Sequence, residues 1–524
     1  MKLARPIATV GAATLASRLL GFLRDVMTAA IFGAGPYADA LLVAFQIPNF
    51  ARRLLAEGAL NAAFVPLYLR RREEGGEKAA ASFAGQVTAS LLLILCAVAG
   101  LLALVMPIVV VMLAPGFGAE DPRASLAAGF ARLMLPYLVI AGPIAVLSGV
   151  LNANHRFAAA SLVAVVFNTV LISALLAILA FHPPSEQSGH LLAAAVGVAG
   201  FAQFALVGAA ILMRGSGVST LRPSFAPPIR RFLNLCIPGL VANGVPQLTL
   251  MVGMMVASMT PSAVSWLYYA NRLIELPLGV VGIAIGTVLV PAFSHANRAA
   301  DRAASVAAQS RGLELAVGLS FPAALGLAVL ARPIVTILFE HGAFTSTDTI
   351  ATASAVAVLA LGLPGHVLVK ACSPAFFARE DTSTPMRAAL IGLAVAGLAS
   401  LALFRVLGPL GIASAIALSG WAGAIALAFF LRRRIGFELD RAARRRLPLI
   451  VLASVAMAAG LIAALPLAAP FLAQARPLAV RGAMLGGLMA GGFVFYFGLL
   501  RLFGVLTFRQ LVAAVNGEAQ TPLA

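Results

Sequence analysis

The chain has 524 residues, of which 61% are hydrophobic and only 11% are charged, and its mean hydropathy is +0.99. This composition excludes an ordinary soluble domain, because apolar stretches of about 20 residues, long enough to span a bilayer, recur along the chain. The net charge of +18 would suggest nucleic acid as the partner of a soluble protein. Here the basic residues collect in short loops, which is typical of membrane topology, and no nucleic-acid partner is expected.

Fourteen membrane spans are predicted in chain order, so the expected fold class is an all-α integral membrane protein. Their centres lie near residues 20, 54, 98, 138, 170, 201, 244, 279, 320, 359, 394, 420, 458 and 491. The first apolar segment continues through Arg18 without a small-residue cleavage site, so no cleavable signal is expected. Prolines inside several spans indicate bent helices around a cavity, although a passive bundle also carries such residues.

Lysine and arginine are unequally divided between the two sides of the predicted membrane. With the N-terminus in the cytoplasm, 25 of the 37 basic residues fall on the cytoplasmic side and five on the opposite side. This asymmetry predicts that both termini are cytoplasmic and that the number of spans is even. The other seven basic residues lie within the spans, namely Arg18, Arg24, Arg52, Arg53, Arg132, Arg272 and Lys370.

A weak internal repeat predicts the domain organisation. The stretches Val43–Pro66 and Tyr268–Pro291 align without gaps at an offset of 225 residues. Because six intervening spans preserve orientation, we predict two parallel lobes, with the substrate site between them. The predicted lobes are residues 1–215 (spans one to six) and 216–435 (spans seven to twelve). Residues 436–524 then form two additional spans and a short cytoplasmic tail.

Two pairs of opposite charges are spaced for contact on one helix face. Arg53 and Glu57 are four residues apart, and Arg272 and Glu275 are three apart. Each pair has two interpretations, mutual neutralisation or a functional salt bridge. Arg52 points about 100° away from Arg53 on a helix, so Glu57 does not easily satisfy both arginines.

Arg18 and Arg24 have only Asp25 and Asp39 as acidic neighbours in the sequence. An ionised side chain at mid-bilayer costs at least ~2.5–3.5 kcal/mol, so each arginine needs water, a partner charge or a ligand. Snorkelling to a membrane face is the alternative, and it suits Arg24 better than the deeper Arg18. Converging arginines in a cavity favour an anionic ligand, because guanidinium binds phosphate bidentately and stays charged.

Several motifs of other function classes are missing from the sequence. The six histidines and three cysteines show no metal-ligand or catalytic spacing, and no phosphate-binding loop is present, so we expect neither an enzyme nor an ATP-driven pump. Two features have open interpretations. The basic segment Arg432–Arg446 either sets topology or binds anionic head groups. The small residues of Gly482–Gly492 either allow close helix packing or shape a groove that faces lipid.

Three stretches of the sequence carry a family resemblance. Ser17–Pro66 contains SRLLGFLRD, IFGAG and PNFARRLLAEGALNAAFVP, and Asp39 lies between the last two. Tyr268–Pro291 reads YYANRLIELPLGVVGIAIGTVLVP, and Phe376–Pro385 reads FFAREDTSTP. These stretches resemble the N-terminal signature, the eighth-helix motif and the entry to the eleventh helix of the MurJ (MviN) family. That family belongs to the multidrug/oligosaccharidyl-lipid/polysaccharide exporter superfamily, and the resemblance covers essentially the whole chain.

The resemblance implies a flippase in the bacterial inner membrane that moves lipid II from the cytoplasmic to the periplasmic leaflet. It also implies fourteen helices in two lobes plus a final pair, which forms a groove for the lipid tail. The family's cavity arginines correspond to Arg18, Arg24, Arg52 and Arg272 here, and its functional acidic position corresponds to Asp39.

From these observations we expect an alternating-access transporter with a cationic central cavity. The four arginines hold the diphosphate, and the residues expected to form gating contacts or salt bridges are Asp25, Asp39, Arg53, Glu57 and Glu275. No cofactor or metal is expected. Because the sequence has no nucleotide site, the energy must come from the membrane potential, an ion gradient or substrate consumption. Lipid II and membrane lipids are the expected partners, with cell-wall synthesis proteins as further candidates, and a monomer is expected. The alternatives are an exporter of another undecaprenyl-diphosphate-linked oligosaccharide and a non-transporting scaffold for cell-wall synthesis.

Overall fold

The computed structural model describes residues 4–55, 59–118, 120–213, 218–298, 302–379 and 381–505. Within these ranges the chain forms sixteen α-helices and no β-strand. The helices are α1 (Ala4–Phe32), α2 (Pro36–Leu55), α3 (Ala59–Leu104), α4 (Met106–Leu113), α5 (Pro122–Ala153), α6 (Phe157–Phe181), α7 (Ser185–Leu212), α8 (Pro227–Ala257), α9 (Ala263–Arg298), α10 (Arg302–Val329), α11 (Ala331–Phe339), α12 (Ser346–Phe377), α13 (Ser383–Leu407), α14 (Pro409–Ile435), α15 (Arg441–Leu472) and α16 (Leu478–Leu502).

The predicted all-α membrane architecture is confirmed. Within the described ranges, all helices except α4 and α11 are at least 20 residues long, and each of these fourteen long helices contains one predicted span centre. Ten helices of the described part are long and apolar enough to cross a membrane. The total of fourteen spans stays a prediction.

Proline and glycine determine where the helices near the second predicted span begin and where one of them is interrupted. A turn at residues 33–35 separates α1 from α2, and Pro36 begins α2, where its fixed φ angle suits the first helical turn. The long α3 is interrupted at Gly76, whose φ of 73° and ψ of −175° are readily adopted only by glycine. The predicted centre of the second span, near residue 54, lies at the C-terminal end of α2 and not in the middle of a helix.

The described residues fall into two compact units. The first comprises the described residues of 1–265 and 341–345, and the second comprises the described residues of 266–340 and 346–524. The boundaries 1–215, 216–435 and 436–524 inferred from the sequence stay a prediction.

The first unit is built around α5, which packs against α2, α3 and α7. In the apolar stretch of α5, 83% of the residues are buried. Next to it an aromatic cluster anchors α3. Phe64 is fully buried, stacks on Phe83 with the ring centroids 5.8 Å apart, and meets the edge of Phe232 at 6.1 Å. Buried aromatic pairs of this geometry add about 0.5–1.5 kcal/mol beyond area burial. Because α2 packs on α5, this core supports the charged residues of α2.

In the second unit, α12 packs between α10 and α14. The C-terminal pair attaches to the same body, since α15 packs on α10 and α16 packs on α15. Tyr496 of α16 is buried and its hydroxyl donates to the carbonyl of Gly318 on α10 at 2.8 Å. The contact satisfies the only polar atom of a large buried side chain and holds α16 against α10.

Candidate functional site

Asp39 lies in the first turn of α2 and is completely buried. Its carboxylate accepts hydrogen bonds from the Ser265 hydroxyl at 2.6 Å, the Ser265 backbone N–H at 3.0 Å and the Ser262 backbone N–H at 2.8 Å. Ser262 and Ser265 are located at the start of α9, so Asp39 satisfies backbone donors that a helix N-terminus leaves unpaired. A buried carboxylate is stable only with partners of this kind.

Arg123, in the first turn of α5, completes the environment of Asp39. Its guanidinium lies 2.7 Å from the Asp121 carboxylate and 3.4 Å from the Asp39 carboxylate, and it stacks over the Phe117 ring with 4.4 Å to the centroid. Asp121 is the N-cap residue of α5 and accepts from the Arg123 backbone N–H at 2.8 Å. The hydrogen bond from the Arg123 guanidinium lowers the pKa of Asp121. We call Asp39, Asp121, Arg123, Ser262 and Ser265 the Asp39 cluster.

Sequence reasoning found Asp39 but did not single out Arg123, which is one of the five basic residues that it placed on the side opposite the N-terminus. The available signal was the run Asp121–Pro122–Arg123, because aspartate followed by proline marks a helix start. No local signal links this run to Asp39, 82 residues away.

Two glycines allow close backbone contact within the same unit. The Ala343 N–H donates to the Ala30 carbonyl at 2.8 Å. Gly33 and Gly342 each have φ of +61°, and a Cβ on either residue would lie 2.4 Å or less from a backbone oxygen of the opposite segment. Both positions therefore require glycine for the backbone conformation and for space. The turn between α1 and α2 is thus joined directly to the segment that precedes α12.

Arg24 of α1 is held by protein partners in this conformation. Its Nη2 lies 2.6 Å from the Asp25 carboxylate, its Nη1 donates to the Asn168 side-chain oxygen at 3.3 Å, and its guanidinium lies 5.2 Å from the centroid of the Phe45 ring. Arg24 and Asp25 have side chains that are only 11% and 3% exposed. Asn168, a residue of α6 not identified from the sequence, also donates to the Ser17 carbonyl at 3.1 Å. The ion pair is therefore an integral part of the contact between α1 and α6.

Arg18 lies six residues before Arg24 on α1, and its surroundings differ from those of Arg24. Its side chain is exposed. It has no hydrogen bond or ion pair with any residue in the described part of the chain. A guanidinium in a membrane helix without an internal partner needs water or an anion. Among the predicted site arginines, Arg18 therefore presents its charge to a ligand without first breaking an internal ion pair.

Arg52 and Arg53 lie in the last turn of α2, and both are partly buried. The Arg53 Nη1 donates to the Gln247 side-chain oxygen of α8 at 2.7 Å. Glu57, the partner predicted for Arg53, lies outside the described residues. Gln247 thus connects α8 to α2.

The second unit contains the remaining predicted arginine. On α9, Arg272 Nη1 lies 3.0 Å from the Glu275 carboxylate, so the pair expected from the three-residue spacing forms. Asn271 donates to the other Glu275 oxygen at 3.4 Å. Arg18, Arg24 and Arg52 belong to the first unit. The grouping of all four arginines around one diphosphate stays a prediction.

The segment Phe376–Pro385 connects α12 to α13, and Asp381 organises it. The Asp381 carboxylate accepts from the Thr384 hydroxyl at 2.6 Å, the Thr384 backbone N–H at 3.0 Å and the Ser383 hydroxyl at 2.8 Å. Arg434 Nη1, at the end of α14, lies 3.6 Å away. These donors, the Thr384 hydroxyl first, lower the pKa of Asp381 to about 2. Asp381 therefore caps the start of α13 as a carboxylate.

The capping by Asp381 predicts an acid-sensitive stability. Its folded pKa of about 2 lies below the ordinary value of 3.8, so the stabilisation is complete above pH 3.8 and is lost as the pH falls towards 2. We expect the unfolding temperature of the purified protein to differ between parent and Asp381→Asn at pH 6 and to converge between pH 4 and pH 2. The matched control is Asp348→Asn, which removes a carboxylate elsewhere in the same unit. A constant difference across this pH range would contradict the assignment.

Comparisons with known proteins agree over most of the chain. The family model described as "Lipid II flippase MurJ" matches residues 28–472. The probable lipid II flippase MurJ of Rhizobium meliloti (strain 1021) is 40% identical over 502 residues, which cover 95% of this chain and 93% of that protein. The probable lipid II flippase MurJ of Rhizobium tropici is 37% identical over 505 residues, covering 96% and 95%.

Solved structures show the same fold. The structure described as "Lipid II flippase MurJ, inward closed conformation" aligns with a TM-score of 0.78 and 25% identity, covering 96% of this chain and 99% of that chain. An inward-facing multidrug resistance transporter of the MATE family aligns with a TM-score of 0.67 over 80% of this chain, at 16% identity. The second likeness concerns the fold alone.

Proposed function

Because the chain belongs to the MurJ family of lipid II flippases, we propose that it carries lipid II from the cytoplasmic to the periplasmic leaflet of the bacterial inner membrane. The match to the family over most of the chain carries this conclusion. The protein is a multi-pass membrane transporter and not an enzyme. Export of a different lipid-linked oligosaccharide and a purely scaffolding role are not favoured.

Arginine side chains are suited to hold the diphosphate of lipid II. In the proposed site, Arg18, Arg52 and Arg272 supply guanidinium groups. Arg24 joins them only when it exchanges its Asp25 partner for the substrate, and Arg272 must likewise exchange Glu275. A phosphate offers the same bidentate acceptor geometry as a carboxylate, so each exchange replaces one charge-assisted pair by another. Substrate binding is thereby linked to rearrangement of α1 and α9.

The Asp39 cluster is the proposed gate. A flippase that alternates between two faces needs contacts that are formed in one state and broken in the other. The Asp39 carboxylate concentrates three hydrogen bonds and an ion pair between chain segments distant in sequence, which makes it suited to stabilise the present conformation. Asp25, Arg53, Glu57 and Glu275 are proposed to exchange partners in the same transition.

The energy source and the orientation complete the proposal. The sequence contains no nucleotide-binding motif, so we propose that the membrane potential or an ion gradient drives transport. Moving one charge across 100 mV supplies about 2.3 kcal/mol. Both termini are proposed to be cytoplasmic, since the basic loops then lie on that side. We propose a monomer that works beside cell-wall synthesis proteins.

The decisive experiment measures lipid II at the outer face of bacteria depleted of this protein. We expect outer-leaflet lipid II to disappear on depletion and to return when the parent gene is expressed. An Arg52→Ala variant, expressed at the parental level, is expected not to restore it. Arg70→Ala is the matched control, because Arg70 is an exposed arginine whose only ion-pair partner among the described residues is Glu74, four residues away. Continued arrival of lipid II at the outer face after depletion would refute the proposed substrate.

A further inference from the structure

An apolar groove on the second unit has no part in the proposed transport site. It has a volume of about 590 Å³, within the range of ~300–1,000 Å³ typical of ligand sites. Residues of α10, α12, α14 and α15 line it: Val317, Phe321, Leu368, Trp421, Leu447, Pro448, Val451, Leu452 and Val455. The indole N–H of Trp421 donates to the Leu361 carbonyl at 2.9 Å. The walls therefore offer no free hydrogen-bond donor, which suits an aliphatic chain.

One face of α15 leads from this groove to two arginines. Arg441, Arg445, Pro448, Leu452 and Val455 follow one another at spacings of four, three, four and three residues. On an α-helix these positions fall within an arc of about 80° and form a continuous stripe. The stripe extends about 15 Å from Arg445 to Val455 at 1.5 Å per residue. A single elongated molecule can thus contact the arginines and the groove together.

The two arginines at the end of the stripe are not neutralised within the described part of the chain. Three other arginines of the segment Arg432–Arg446 have carboxylate partners, in the pairs Arg434–Asp381 (3.6 Å), Arg444–Glu438 (3.3 Å) and Arg446–Glu314 (3.5 Å). Asp440 is occupied as the N-cap of α15, where it accepts from the Ala443 N–H at 2.6 Å. Arg441 and Arg445 are exposed, and neither has an ion pair or hydrogen bond in the described ranges.

We propose that this groove binds an anionic phospholipid, with one acyl chain along the apolar walls and the phosphate between Arg441 and Arg445. The charge complementarity selects an anionic over a zwitterionic lipid, because each arginine near a head group contributes a favourable electrostatic interaction. The polyprenyl tail of lipid II is not the proposed occupant of this groove. The tail groove implied by the family is formed by both helices of the final pair, whereas this groove is lined by α10, α12, α14 and α15 and by no residue of α16. The site gives the basic segment Arg432–Arg446 a binding role in addition to its effect on topology.

Trp421 provides a direct probe, because it lines the groove and the chain has only two tryptophans. The full-length Trp266→Phe protein is reconstituted into vesicles containing phosphatidylglycerol or phosphatidylcholine with brominated acyl chains. Bromine quenches tryptophan on contact, so the quenching gives the relative association constants of the two lipids. We expect a preference for phosphatidylglycerol of at least about fivefold for each contributing arginine. Arg441→Gln/Arg445→Gln is expected to reduce the ratio to about one.

The matched control is Arg230→Gln/Arg231→Gln, which removes two exposed arginines of the first unit and is expected to keep the preference. Equal quenching by both lipids in the parent would overturn the proposal, and so would a preference that survives in Arg441→Gln/Arg445→Gln. Addition of lipid II is expected to leave the quenching unchanged. Displacement of the brominated lipid by lipid II would identify the groove as a substrate-tail site and would also overturn the proposal. Because the measurement needs no transport, its failure would not affect the flippase assignment.

Discussion

Replacement of Arg18 by alanine is expected to reduce the outward movement of lipid II at least 100-fold while the unfolding temperature stays at the parental value. Arg18 is exposed and has no partner in the described part of the chain, so its loss breaks no internal contact. Charge-assisted bonds to a phosphate in a site shielded from water contribute about 1.5–3 kcal/mol each, and an arginine making two of them accounts for the expected loss. The measurements are outer-leaflet lipid II in a complemented depletion strain and thermal unfolding of the purified variant.

Two further variants, Arg24→Ala and Arg132→Ala, are measured in the same way and compared with Arg18→Ala. Arg24→Ala removes the 2.6 Å contact between the guanidinium and the buried Asp25 carboxylate, so we expect both a lower unfolding temperature and failed transport. Arg132 is an exposed arginine of α5 that donates to the Ala103 carbonyl, and its replacement is expected to leave transport intact. Parental transport by a well-expressed Arg18→Ala protein would exclude Arg18 from the diphosphate site. Equal losses in Arg18→Ala and Arg132→Ala would indicate a general effect of charge.

Asp39→Ala is expected to produce the largest loss of stability in the first unit. The substitution leaves the Ser262 N–H, the Ser265 N–H and part of the Arg123 guanidinium buried without an acceptor. Breaking a buried ion pair from one side typically costs about 3–5 kcal/mol. Thermal unfolding of the purified protein should therefore begin at a clearly lower temperature, and outer-leaflet lipid II should fall because the present conformation is less populated.

A graded series separates the ion pair from the hydrogen bonds. Ser265→Ala removes a single hydroxyl donor and is expected to cost only about 1 kcal/mol. Asp39→Asn keeps one acceptor oxygen but places an amide N–H against the donors, so its effect should fall between those of Ser265→Ala and Asp39→Ala. An Asp39→Ala protein with parental unfolding temperature and transport would show that the cluster is dispensable for both stability and gating.

Much of the fold could be predicted because it depends on properties that are local in the chain. Apolar stretches long enough to cross a bilayer locate the helices, and all fourteen predicted span centres fall within long helices of the described part. The contact between Arg272 and Glu275 was also predictable, since a three-residue separation places both side chains on one face of α9. The segments that carry the family resemblance are short and continuous, so they are recognised from the sequence alone.

The partners of the charged residues could not be predicted in the same way. Arg24 reaches Asn168 across 144 residues, and Asp39 reaches Ser265 across 226 residues. Such contacts depend on which helix faces meet after packing, and no periodicity in the sequence encodes them. The same limit applies to Arg123, whose side chain is buried between Asp39 and Asp121, because no local pattern links it to Asp39.

The sequence by itself determined that this is a multi-helix membrane protein of the flippase family with an unusual density of arginines in its first two spans. Composition and the length of the apolar stretches suffice for the multi-helix membrane architecture, because the bilayer imposes the same length and polarity on every span. The family was indicated by the resemblance of short motifs such as Ser17–Pro66. Only the tertiary structure distinguished Arg18, exposed and without a protein partner in the described ranges, from Arg24, which is already bound to Asp25. The difference is decided by helix packing, since α1 presents one of these arginines to Asn168 of α6 and leaves the other exposed.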